Sequence, residues 1–181
     1  MRTLLALVAP TLLAVSAAAA AGWPEPKSPV IPEADGYVAI PGAAIAPDKT
    51  HVYRALFDAT RAADAPTQLV PALNMVGSEL NALAVAGVAP GNAKFVVVFH
   101  GAAMVGILDD RSYRAKFGVA NPNLEVLAQL KKAGVELFVC GQNLAFDHVD
   151  PRTLAPEVTV ASDALIVSMT YQNDGYAVLS F

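Results

Sequence analysis

One thiol, one imidazole and one carboxylate carry most of the chemistry this chain can offer. Cys140 is the only cysteine in 181 residues, so no intrachain disulfide can form. It ends an apolar run and precedes Gly141, which permits a tight turn and close backbone approach. If Gln142 opens a helix, the free amide groups there favour a thiolate. His100 ends a second apolar run, KFVVVF, and can supply positive charge or shuttle a proton. Asp58 ends a third, within HVYRALFDAT. Such a set suits a thiolate nucleophile served by a histidine. Each residue also has a bland alternative. Cysteine often serves as a small buried hydrophobe. A strand-end histidine can bond to backbone, and a strand-end aspartate can cap a turn.

Gly101, Gly141 and Gln142 flank the thiol and the imidazole, and so join them as candidate binding positions. Asn74 lies beside the apolar face of a long helix, as a polar contact at the site or a solvated position. Asp147, His148 and Asp150 are close in sequence, but three residues on one loop make a weak metal signal, and a solvated loop is the simpler reading. Neither a metal nor a cofactor is expected. The chain has no C-x-x-C, no G-x-S-x-G, no Walker loop and no dinucleotide-binding glycine pattern.

The elements that must position these residues follow from periodicity. His51 to Thr60 has β-branched and aromatic residues in near alternation, as a first strand does. Leu69, Leu73, Val76, Leu80 and Leu83 mark one face of a long helix, with Pro71 in its first turn and a stop near Gly87. Lys94–Phe99 is a continuous apolar run, the pattern of a strand buried on both faces. Ala102–Leu108 reads as a short helical turn, and Asp109–Ala120 has no clear assignment. Asn121-Pro122 suits a helix start. Lys131 and Lys132 fall in that helix's last turn, and Gly134 is its natural stop. Val135–Val139 is a third strand and Gln142–Phe146 a short helix. Val158–Ala161 is a fourth strand, Ser162 caps a helix to about Asn173, with Met169-Thr170-Tyr171 in its core, and Tyr176–Phe181 is the final strand. This alternation predicts an α/β fold: a mostly parallel sheet of about five strands with helices on both faces, in a flavodoxin-like three-layer arrangement. In such a sheet ligands bind beyond the carboxyl ends of the strands, where Asp58, His100 and Cys140 would gather.

Residues 1–21 read as a cleavable secretory signal: Arg2, an apolar stretch from Leu4 to Val15, then small residues of the Ala-x-Ala kind. The apolar stretch is too short for a membrane span, and no second one follows. The expectation is therefore a periplasmic or secreted protein with no span after cleavage. Residues 22–50 are rich in proline, glycine and alanine and read as an extended arm that covers a sheet edge or reaches a neighbouring subunit. Residues 51–181 form a single α/β domain. A net charge of −4, with no basic run, disfavours nucleic acid as a partner.

Three segments together resemble the DsrE/DsrF-like family: KFVVVFHGAAM, NPNLEVLAQLKKAGVELFVCGQNL and the terminal NDGYAVLSF. The resemblance spans about Val52 to Phe181. It implies a compact α/β fold that assembles as trimers or hexamers, and a cysteine that carries sulfur as a persulfide, here matched by Cys140. His100 matches a position that recurs beside that cysteine. The family's sulfur-relay members work in the cytoplasm, whereas this chain carries an export signal and a proline-rich arm. Two functions follow. In one, Cys140 accepts sulfur from a donor protein or molecule and passes it to an acceptor. In the other, the protein is a non-catalytic periplasmic ligand-binding or assembly module with a structural or redox-sensing Cys140.

Overall fold

The computed structural model describes residues 22–181; the expected signal segment, residues 1–21, lies outside the described residues. The elements are β1 (Tyr53–Ala59), α1 (Pro71–Val85), β2 (Ala93–Phe99), α2 (Asp110–Phe117), α3 (Leu124–Lys132), β3 (Glu136–Cys140), α4 (Gly141–Phe146), β4 (Thr159–Ala161), α5 (Ala164–Asn173) and β5 (Ala177–Ser180). A 3-10 turn, Gly101–Ile107, follows β2. The five strands form one sheet in the order β4-β3-β2-β1-β5, and every pair is parallel.

The handedness of crossovers explains the layers. Steps from β1 to β2 to β3 move one way across the sheet, and right-handed connections put α1 and α3 together on one face. The step from β4 back to β5 moves the other way and puts α5 on the opposite face, where it meets β1, β2, β3 and β5. Side chains alternate accordingly. Phe57, Val97, Phe99, Leu137 and Val139 join the core under α1 and α3, with Leu73, Val76, Leu127 and Leu130. Leu56, Val96, Val98 and Cys140 join Ala164 and Val167 of α5 in a smaller second core. The central strand β2 is buried on both sides from Phe95 onward, as its unbroken apolar run requires.

The arm packs on α1. Ile31 is fully buried, Ala34 nearly so, and both lie against Gly77, where a Cβ would come within 2.4 Å of the Ala34 Cβ. Asn81, fully buried on α1, accepts from the amides of Val30 and Ile31 at 2.9 Å and donates to the carbonyls of Ile31 and Asp35 at 3.0 and 3.3 Å.

Four local expectations are corrected. The segment Asp109–Ala120 contains α2, capped by the Asp109 carboxylate on the Ser112 amide at 2.6 Å and stopped by Gly118 in the left-handed region. The following helix starts at Leu124, not at Asn121-Pro122. Asn121 is instead buried, donating to the carbonyls of Gly106 and Leu108, and it accepts from Asn123, whose own side chain accepts from the Val70 amide. The cap of α5 is Asp163, not Ser162: its carboxylate accepts from the Leu165 amide. Met169 is exposed together with Leu165 and Ile166, so the outer side of α5 is apolar without being core.

Candidate functional site

The carboxyl ends of β1, β2, β3 and β5 meet at one edge. Register places Asp58 beside Val98 on one neighbour and Ser180 on the other. Phe99 pairs with Val139, so His100 and Cys140 follow at adjacent strand ends. Alternation then turns Asp58, His100 and Cys140 toward the α5 face, in line with Leu56, Val98 and Phe138. Strand order also reverses at β1, with its successors on one side and β5 on the other. Such reversals are where open parallel sheets leave a crevice.

Asp58 is the hub. Its Oδ1 lies 2.6 Å from His100 Nε2, and its Oδ2 accepts from the Ser180 hydroxyl at 3.2 Å. This contact uses Nε2 of the ring, and Nδ1 is its second polar atom. Both side chains keep about a quarter of their surface, at 27% for His100 and 21% for Asp58. The edge is further tied by the Phe181 carbonyl, which accepts from the amides of Thr60 and Arg61. Ser180 was not legible as a site residue, although it is the polar residue ending the last strand, as Asp58 nearly ends the first.

Cys140 caps α4 and is 5% exposed. The buried members of its core are aliphatic, with Phe138, Tyr171 and Tyr176 partly buried against them, and among the described residues its sulfur has no hydrogen-bond partner. The His100 ring is engaged with Asp58 of β1, and no hydrogen bond joins it to the Cys140 sulfur among the described residues. The α4 helix has six residues, which limits the field its amides can exert.

The glycines have separate reasons. Gly101 has φ +56 and its amide donates to the Asn143 side chain at 3.3 Å. That bond ties the turn after β2 to α4, and it makes Asn143 a second residue missed from sequence. Gly141 has no room for a side chain: a Cβ there would lie 2.6 Å from the Ala161 carbonyl. Gly141→Ala must therefore push the β3–α4 turn off β4. The expected result is a loss of about 1–3 kcal/mol with faster alkylation of Cys140. Urea unfolding and timed reaction with a small maleimide check both.

Gln142 is exposed and donates to the Ser162 carbonyl at 3.4 Å. A cavity of about 250 Å³ opens between the turn after β2 and α4, lined by Gly101, Met104, Leu144 and Asp147 among others. Asn74 lies elsewhere. It is on α1 and holds the arm, accepting from the Asp35 amide at 3.0 Å and donating to the Asp35 carboxylate at 2.8 Å. Asp150 pairs with Arg152, which holds its carboxyl down at about 2, and no cluster of three metal-ligating residues occurs among the described residues.

The family model described as DsrE/DsrF-like matches residues 49–181. In structure the chain is similar to MTH1491 of Methanobacterium thermoautotrophicum, titled a protein of unknown function, with TM-score 0.54 and 16% identity over 71% of this chain and 99% of that one. It is likewise similar to the ychN protein of E. coli, with TM-score 0.52 and 15% identity over 71% and 99%. At these identities the likeness establishes the fold. No curated protein matches the chain.

Proposed function

The chain belongs to the DsrE/DsrF-like family, and from that premise we propose that it is an exported sulfur carrier in which Cys140 forms a persulfide. The observation that carries this reading is the position of the chain's one thiol, at a strand end of the carboxyl edge, adjacent to the strand end that bears His100. In the forward step the Cys140 thiolate attacks the outer sulfur of thiosulfate. A new S–S bond forms at Cys140, the sulfur–sulfur bond of the donor breaks, and sulfite leaves with the electron pair. A partner thiolate then takes the outer sulfur and returns Cys140 as thiolate. His100, held by Asp58 of the neighbouring strand, is the proton carrier at this edge. Residues 1–21 supply the export reading.

The test is the intact mass of the purified protein after incubation with thiosulfate or polysulfide. A gain of one sulfur atom in the wild type, absent in Cys140→Ser, supports the carrier. No gain in the native protein, with the thiol reacting only after unfolding, overturns it. A second reading is favoured by one observation, the 5% exposure of Cys140 among aliphatic side chains: a ligand-binding or assembly module in which the thiol is a packing group.

Self-assembly into trimers or hexamers belongs to the same proposal. It is supported by the apolar outer side of α5, where Leu165, Ile166 and Met169 are all more than half exposed, since patches of this kind mark interaction surfaces. Ile166→Glu is expected to reduce the particle to a monomer, read by light scattering after size exclusion, with the unfolding midpoint of the monomer little changed.

A further inference from the structure

The α1 side of the sheet is not fully covered. α1 packs over β1 and β2, and β5 lies beyond β1. Between α1, β1, β5 and the arm remains a cavity of about 570 Å³, a volume within the range of roughly 300–1,000 Å³ of small-molecule sites. Its floor is Tyr53 and Phe57 of β1 with Leu179 of β5 and Phe181. Tyr37, Ile45 and Pro47 of the arm complete its rim. These three precede residue 49, where the family match begins, so this chain adds a wall from outside the matched domain.

The walls are aromatic and ordered. Phe57 stacks on Phe181 at 5.9 Å and meets Phe95 edge-on at 5.2 Å. His51 meets Tyr53 edge-on at 4.8 Å. One carboxylate, Glu79 of α1, reaches the lining. It has neither an ion-pair nor a hydrogen-bond partner among the described residues. The residue is exposed, and partial burial of its carboxyl beside the cavity walls raises it above the usual carboxylate range. Two groups of the opposite kind, Arg54 and His51, also line the cavity. Both are exposed and precede the buried part of β1.

We propose that this cavity is a second binding site, for a small, mainly apolar molecule that carries an amine. Aromatic faces attract an organic cation, and Glu79 is a counter-charge without a partner. The site is separate from the thiol edge, because Asp58 and Ser180 turn to the opposite face of the same two strands.

The test uses the full protein, purified without its signal segment if that is cleaved, titrated with 2-phenylethylamine, 3-phenylpropionate and ethylbenzene by ligand-observed NMR. The amine is expected to bind at least roughly tenfold more tightly than the carboxylate, a difference of about 1.4 kcal/mol. Glu79→Gln should remove that preference while leaving ethylbenzene unchanged. Ala177→Trp, which fills the cavity from β5, should abolish binding of all three, and Cys140→Ala should alter none. Thermal unfolding of each variant confirms that it is folded. Absence of amine binding, equal binding of the carboxylate, or full binding in Ala177→Trp overturns the proposal. So does a dimer that Ala177→Trp dissociates with no amine taken up by the wild type.

Discussion

Cys140→Ser is expected to eliminate sulfur uptake completely and to lose about 1–3 kcal/mol of stability, because a hydroxyl enters an apolar pocket. The chain has no second thiol to substitute, so the chemical effect is all or none. The stability effect follows from the neighbours. Cys140 belongs to a small core with Leu56, Val96, Val98, Ala164 and Val167, against which Phe138, Tyr171 and Tyr176 are partly buried. Cys140→Ala is the sharper control: it also abolishes uptake, but it costs about 1 kcal/mol, the order of one buried methylene. Both variants remain folded in a domain with the usual 5–15 kcal/mol or so of stability. Uptake that persists in Cys140→Ala, by intact mass, would place the sulfur on another group and end the carrier proposal. Equal stability of the serine and alanine variants in urea would mean that the pocket is wetter than its lining suggests.

Asn81→Leu is expected to release the arm and to lower stability by about 3 kcal/mol. The fully buried amide of this side chain makes four hydrogen bonds to the arm. Leucine leaves the Val30 and Ile31 amides without an acceptor while keeping a similar volume. The arm then has two outcomes, both unfavourable: stay docked with unpaired polar groups, or detach and expose Ile31, whose burial is worth about 1.5–3 kcal/mol. Limited proteolysis distinguishes them, since a detached arm is cut first between residues 22 and 48. Asn81→Asp preserves the oxygen that accepts from both amides but turns a second oxygen toward the Ile31 carbonyl, so an intermediate loss is expected. An unchanged urea midpoint in Asn81→Leu would show that the arm is not held at this point.

The layers of this fold were legible because the helix and strand periods are clean where burial is complete. The long helix α1 and the central strand β2 fall where the Leu69–Leu83 spacing and the KFVVVF run put them. What was not legible depends on partners distant in sequence. Asn121 looks like a helix cap, but it serves the Gly106 and Leu108 carbonyls instead. Asn74 sits beside an apolar face, which is compatible with a site or with an arm, and only the course of residues 22–50 decides between them. At the edge, gathering Asp58, His100 and Cys140 follows from strand order alone. The direction in which His100 turns does not, because β1 and β3 are equidistant neighbours of β2 and the choice is made by Asp58. Ser180 joins Asp58 across a separation of 122 residues, and no local pattern signals such a pair.

That separation bears on how the molecule is made. β1 leaves the ribosome before the other four strands, while β5, which closes its outer edge, follows all of them. Until β5 arrives, the outer edge of β1 presents a row of unpaired amides and carbonyls, a template for pairing with another chain. Late docking of β5 and α5 also requires a large loop to close, which slows folding. A chaperone that shields extended segments is therefore most needed before residues 177–180 arrive, and truncation just ahead of them should yield aggregates rather than a soluble four-stranded domain.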